Sequence, residues 1–266
     1  MATLSLVIPA YNEEARLPAL LDALATSAEA AVAGSGFELF EVLIVDDGST
    51  DRTPEILRSA PSSHPKVKPV LSSGQNRGKG AAVASGVGRA AGEYVLLADV
   101  DLSTPLEELH KLADALREGA DMAIGSRAIA GAIVERGPIH RKLLGKGFNG
   151  TVRVLTGLRV RDTQCGFKLM ATDIARHLLA NQTCPGFAFD VELLMRADVA
   201  GLGIVEVPVL YIHDSRSRVR VSSASLQMLR DVSSLAYRMR LRGRDRPSQW
   251  PLERSSLADV SADDSY

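Results

Sequence analysis

Apolar residues in this 266-residue chain fall into short unbroken runs, separated by longer stretches in which they recur every three or four positions. Leu4-Ser5-Leu6-Val7-Ile8 opens as a buried strand that stops at Pro9. A run without polar alternation is what a sheet covered on both faces requires. Leu17, Leu20, Leu21 and Leu24 mark one face of a first helix. Ala33-Gly34-Ser35-Gly36 reads as a loop, and Glu41-Val42-Leu43-Ile44-Val45 as a second strand ending in Asp46-Asp47-Gly48-Ser49. Thr53-Pro54 starts another helix, proline being suited to a first turn. Val67 to Leu71 is a third strand, Gly80 to Ala91 a helix of small residues, and Tyr94 to Ala98 a fourth strand. Strands alternating with helices predict an α/β fold with a mostly parallel sheet flanked by helices.

The pattern loosens after Asp101. Pro105 to Glu118 reads as a helix and Met122 to Gly125 as a short strand. Ser126 to Lys168 is irregular apart from a helical pattern around Leu143 to Leu155. Thr172 to Leu179 and Asp190 to Ala200 are helical, and Ile204 to Tyr211 is a β-branched strand. Residues 1–220 thus form one domain, in which 1–101 are the part that binds and 102–220 the part that selects. Residues 221–246 follow as a basic amphipathic helix, since Leu226, Leu229, Val232, Leu235 and Met239 recur at helical spacing and nine arginines face two aspartates between Arg216 and Arg246. Such a helix can lie on an anionic lipid surface, meet a membrane-embedded partner, or pack on its own domain. Serine and acid dominate 247–266, a composition that predicts disorder.

Candidate chemistry gathers at the ends of the predicted strands. Pro9-Ala10-Tyr11-Asn12-Glu13-Glu14 follows the first, Asp46-Asp47 the second and Asp99-Val100-Asp101 the fourth. Ligands of open α/β sheets bind at carboxyl strand ends, and aspartates one residue apart can share a hard divalent cation whose shell diphosphate oxygens complete. Tyr11 can stack on a base, and Asp46 or Asp47 can accept hydrogen bonds from base or ribose. Two glycine motifs carry nothing. Gly145 to Gly150 spells G-x-G-x-x-G inside a helical pattern, and Gly74 to Gly80 lacks the hydroxyl residue of a phosphate loop.

A net charge of -1 excludes wholesale nucleic-acid binding. No apolar run approaches the ~20 residues of a membrane span. Cys165 and Cys184 follow no secretory segment, which predicts reduced thiols in a cytoplasmic protein. Asn149-Gly150-Thr151 and Asn181-Gln182-Thr183 are then chance matches to a glycosylation pattern.

V-I-P-A-Y-N-E-E, V-D-D-G-S-T-D, N-R-G-K-G-A-A and D-V-D, in this order and spacing, resemble the inverting family 2 glycosyltransferases of GT-A (Rossmann-like) fold. The resemblance implies that Pro9, Tyr11, Glu13, Asp46, Asp47, Lys79 and Asp99 hold a nucleotide-sugar. It also implies that Asp99 and Asp101 hold Mg²⁺ or Mn²⁺ on its diphosphate. Ile124-Gly125-Ser126-Arg127 and His140-Arg141-Lys142-Leu143-Leu144 are similar to the polyprenyl-phosphate branch, making Arg127 and Arg141, with Arg136 as a further candidate, a clamp for a lipid phosphate. Planar guanidinium forks suit that task.

Asp162-Thr163-Gln164-Cys165-Gly166-Phe167-Lys168 and Phe189-Asp190-Val191-Glu192 look most like the dolichyl-phosphate β-glucosyltransferases. The expected reaction transfers glucose from UDP-glucose to polyprenyl phosphate with inversion, UDP-N-acetylgalactosamine and GDP-mannose being alternative donors. Asp101, Arg127 and Arg141 form the catalytic set. Asp162, Gln164, Asp190 and Glu192 position the acceptor or sugar, or one acid serves as base toward a hydroxyl acceptor. Ser217 and Arg218 stand where mannose synthases carry a G-x-S-K-L loop. Such an enzyme works at the cytoplasmic face of the membrane, on the surface or beside a membrane protein. A sugar nucleotidyltransferase, or a non-catalytic nucleotide-sugar-binding subunit, remains the alternative.

Overall fold

The computed structural model describes residues 1–72, 74–135, 139–213 and 221–242, with backbone alone for residues 139–146, 148, 221–227 and 240–242. Its elements are β1 (Ala2–Ala10), α1 (Leu17–Ala23), α2 (Glu29–Gly34), β2 (Phe37–Asp46), α3 (Thr53–Ser63), β3 (Val67–Leu71), α4 (Lys79–Arg89), β4 (Tyr94–Leu97), α5 (Leu109–Arg117), β5 (Met122–Ser126), β6 (Ile133–Glu135), α6 (Ile139–Thr156), β7 (Lys168–Ala171), α7 (Thr172–Ala180), α8 (Phe189–Val199), β8 (Ile204–Pro208), β9 (Leu210–Ile212) and α9 (Val221–Arg242). A π-helical turn, Leu24–Ala28, joins α1 to α2.

Seven strands form the main sheet in the order β3-β2-β1-β4-β7-β5-β8, and β6 pairs with β9 beside it. All neighbours in the main sheet run parallel except β7, which is antiparallel to both β4 and β5. The order reverses between β1 and β4, so a crevice opens beyond their carboxyl ends. Alternation along the strands supplies two cores. Leu4, Leu6, Ile8, Ile44 and Leu96 pack on one side with Leu17, Leu57 and Leu112. Val7, Leu43, Val45, Val95 and Leu97 pack on the other with Val83, Leu178, Phe189 and Leu193.

Several expected boundaries change for physical reasons. Pro9 lies inside β1 rather than ending it. Val7 directs its carbonyl toward β4, accepting from Ala98 N–H, and by alternation Pro9 turns the same way. Because β4 ends at Leu97, no ladder bond needs the amide that proline lacks. The stretch read as irregular contains β6, its expected helix begins earlier, at Ile139, as α6, and β7 starts at its last residue, Lys168. The single strand expected over Ile204 to Tyr211 is two, because Val209 passes from the main sheet to the small one. Its N–H bonds to the Ser126 carbonyl and its own carbonyl accepts from Ile133.

The middle of α9 rests on its own domain. Val232, Leu235 and Ala236 are buried in the second core, whose other members include Val152 of α6 and Phe189 of α8. Arg230, Tyr237 and Arg238 remain exposed. Arg136, Ser217, Arg218 and 247–266 lie outside the described residues, as does the Arg141 side chain. No helix among the described residues is long and apolar enough to cross a membrane. Leu235→Ala is expected to destabilise the protein by about 2–5 kcal/mol in urea unfolding. An unchanged midpoint would show that α9 contributes nothing to the core.

Candidate active site

The sheet register sets the acids side by side. Ala10 pairs with Asp46, and Asp47 N–H donates to the Ala10 carbonyl. The loops after β1 and β2 are then laced together: Asn12 Oδ1 accepts Thr50 N–H at 2.8 Å, Glu13 N–H reaches Thr53 Oγ1 at 2.8 Å, and Glu14 N–H reaches Asp51 at 3.2 Å. Glu13 lies 3.2 Å from Arg16, and Tyr11 is exposed at the rim. The two neighbouring aspartates differ in environment. Asp47 accepts Arg77 N–H at 3.0 Å and Gly78 N–H at 2.7 Å, tying down the loop before α4. Asp46 accepts Ser49 N–H through Oδ1 at 3.1 Å, and its Oδ2 has no hydrogen-bond partner among the described residues.

Beyond β4 the chain turns sharply. Asp101 Oδ1 accepts Ser103 N–H at 3.0 Å, and Leu102 adopts φ 43°, a left-handed conformation that a leucine rarely takes. Lys79, the first residue of α4, places Nζ 2.7 Å from Asp99 Oδ1. Burial would raise the Asp99 carboxyl, but Lys79, then Lys168 and Arg127, hold it below the usual carboxylate range. Burial likewise opposes the Lys79 charge, which Asp99, Asp190 and Asp101 restore, so its pKa lies above that of an ordinary lysine. Gly166 closes the other side: a Cβ there would stand 2.4 Å from Asp99 Oδ2.

Arg127, just past β5, is held by a fork. Its Nε donates to Asp162 Oδ2 at 2.7 Å, its Nη2 to Oδ1 at 2.9 Å, and its own N–H to Oδ2 at 2.9 Å. Glu206 of β8 fixes Asp162 in turn by accepting the N–H groups of Arg161 and Asp162. The guanidinium lies 5.0 Å from the Tyr211 ring centroid. Asp99, Leu102, Ser103, Thr104, Arg127 and Tyr211 line one pocket, closed from below by Cys165, Gly166 and Phe167.

The remaining predicted acids are engaged. Asp190 pairs with Lys168, which has no exposed surface and also donates to the Cys165 carbonyl at 2.6 Å. Glu192 accepts the N–H groups of Thr183 and Cys184 and the Arg196 guanidinium, and so braces that loop. The Gln164 amide turns to Met228 Sδ on α9. Burial pushes the thiols of Cys165 and Cys184 up to about 11, which keeps them protonated and inert. Asp99 and Asp101 are hard oxygen donors suited to Mg²⁺ or Mn²⁺, and an ammonium already stands against one of them. No cluster of three or more metal-ligating side chains occurs among the described residues.

The glycosyl transferase family 2 model matches residues 5–179. The chain belongs to that family. This family 2 glycosyltransferase is 38% identical over 238 residues to a dolichyl-phosphate beta-glucosyltransferase of Drosophila melanogaster, covering 86% of this chain and 73% of the relative. The Homo sapiens protein of the same name is 33% identical over 244 residues, 88% of this chain and 75% of the relative. Among solved structures, glucosyl-3-phosphoglycerate synthase from Mycobacterium tuberculosis in complex with UDP superposes with a TM-score of 0.63 at 21% identity, over 89% of this chain and 80% of that one. That likeness establishes the GT-A fold.

Lys168, Tyr211, Ser103, Gly166 and Glu206 escaped sequence reasoning in this glycosyltransferase. Lys168 ended a quoted motif, yet its role depends on Asp190 in a distant helix. Two expectations follow for the site. Burial alone would raise the Asp162 carboxyl, and Arg127 overrides it, holding the folded pKa low. The resulting stability is present above the unfolded pKa and is lost as pH falls through the folded one. Arg127→Met should therefore move acid unfolding to higher pH in a circular-dichroism titration from about pH 6 to 2. A coincident transition would deny the pair any linked stability. Gly166→Ala should weaken UDP binding in Mn²⁺ by about tenfold or more, by calorimetry, with the fold retained. Unchanged affinity would remove Asp99 from the binding site.

Proposed function

We propose that this glycosyltransferase moves glucose from UDP-glucose to a dolichyl-type polyprenyl phosphate, releasing UDP and a β-linked lipid-phosphate sugar. The observation that carries the reading is the partnering of the acids around the cleft. Asp162 is paired with Arg127, Asp190 with Lys168 and Glu192 with Arg196. None is placed to take a proton from a hydroxyl acceptor. A phosphate monoester needs no such base, because it carries about -1.5 to -2 charge near neutral pH and presents an anionic oxygen. What it needs is positioning and a cationic wall.

Each side of the cleft then has a task. Asp46, through its open oxygen, and Tyr11 receive the nucleoside, while Pro9, Glu13 and Asp47 shape the loops around it. Asp99 and Asp101 hold a divalent cation, Mg²⁺ or Mn²⁺, which when bound supplies Lewis-acid neutralisation of the diphosphate. Lys79 adds a positive charge to the leaving group. Across the pocket, Arg127, oriented by Asp162 and stacked on Tyr211, receives the acceptor phosphate with Arg141. Attack from that side, opposite the diphosphate, inverts the anomeric carbon. The exposed face of α9, with Arg230, Tyr237 and Arg238, faces a cytoplasmic membrane surface or a membrane partner, basic and aromatic side chains suiting the headgroup layer.

The test is transfer to short-chain dolichyl phosphate from UDP-glucose, UDP-N-acetylgalactosamine and GDP-mannose in parallel, with and without EDTA. A metal-dependent glucolipid is expected, lowered by about 10²–10³ in Asp101→Ala and Arg127→Ala. Transfer from another donor would change the sugar. Transfer to a simple alcohol at the same rate would overturn the acceptor.

A further inference from the structure

We infer that Lys79 is a built-in cation on Asp99 that a divalent metal ion must displace, so that metal and nucleotide diphosphate bind as a coupled pair. The inference rests on the metal assignment proposed above. Its basis is geometric. Lys79 Nζ contacts Asp99 Oδ1 at 2.7 Å, on one of the two aspartates assigned to the metal. Two cations on one carboxylate repel each other, so the ammonium and the metal compete for it.

Only the side chain of Lys79 can yield. Its backbone is clamped: Asp47 holds Arg77 and Gly78 from one side, and Ala81 N–H bonds to the Pro185 carbonyl at 3.0 Å from the other. Gly78, at φ 106°, and Gly80 let this contact close, since a Cβ at either would come within 2.5 Å of Pro185 O or of the Gln182 amide. Glu192 holds the same loop by the amides of Thr183 and Cys184. Metal arriving alone therefore strands the ammonium of a side chain that is only 18% exposed. Metal arriving with a diphosphate gives that ammonium a new anion within reach of the same clamp. Linkage makes the effect reciprocal, and such couplings are typically about 5–150-fold.

The experiment is a Mn²⁺ titration followed by the electron-paramagnetic-resonance signal of free Mn²⁺, with and without UDP. It compares wild type with Lys79→Met, Arg127→Met and Asp99→Asn, each shown folded by circular dichroism. Wild type should bind Mn²⁺ weakly alone and at least about tenfold more tightly with UDP. Lys79→Met should bind Mn²⁺ alone about tenfold more tightly than wild type, and should gain less from UDP. Arg127 lines the same pocket as Asp99, but its guanidinium is held by Asp162. Arg127→Met should therefore reproduce little of that gain. If Lys79→Met leaves metal affinity unchanged, or Arg127→Met matches it, displacement is overturned while the metal assignment stands. If Mn²⁺ binds neither alone nor with UDP, or binds Asp99→Asn as well as wild type, the metal assignment falls and the inference falls with it.

Discussion

The site depends on one electrostatic constraint: three carboxylates around the pocket are each held by a cation. Asp99 meets Lys79, Asp162 meets Arg127 and Asp190 meets Lys168. The pairs also act on one another, since Lys168 and Arg127 lower the Asp99 pKa and Asp190 raises that of Lys79. Removing one partner of a buried pair leaves an uncompensated charge, at a typical cost of about 3–5 kcal/mol. The side chains are therefore fixed as a set, and their positions follow from the edge at which β4 and β5 end and the antiparallel β7 begins.

That set is matched to a reaction in which charge moves while proton transfer is minor. Acids without partners would be candidates for general bases, whereas acids tied to lysine and arginine act as rigid holders of positive charge. Asp162 shows the principle most directly. It takes both the fork and the backbone amide of Arg127, so the guanidinium presents its remaining edge and its stacked face in one orientation. Glu206 extends the same logic by fixing Asp162 from β8.

Much of this was legible in the amino-acid order, and the limits are informative. Strands buried on both faces give continuous apolar runs, so β1, β2 and β4 could be located, with Asp46 and Asp47 at the end of β2 and Asp99 and Asp101 just beyond β4. β7 was not legible. It is only Lys168–Ala171, and it begins with a lysine that reads as a loop residue until Asp190 is brought against it. Asp190 and Glu192 look equivalent in the sequence. The fold separates them, because α8 turns one toward Lys168 and the other toward Arg196 and the loop at Thr183. The contact of Gln164 was hidden for a similar reason: its partner, Met228, lies on a helix that sequence reasoning treated as a separate unit.

That contact bears on how the enzyme sits on a surface. α9 is held through Val232, Leu235 and Ala236 in the same core as Phe189, whose ring lies 5.7 Å from Lys79 Nζ and 5.9 Å from Lys168 Nζ. It is also held through Met228 by the turn that carries Asp162 and Gly166. Its outward residues, Arg230, Tyr237 and Arg238, therefore stand in a fixed relation to the cleft. A flexible tether would let the domain tumble above a bilayer. On the proposed membrane placement, a helix locked into the core would instead set the angle at which the Arg127 side of the pocket meets whatever lies against α9. For an acceptor whose phosphate is anchored at a membrane, that angle would be part of the positioning on which catalysis depends.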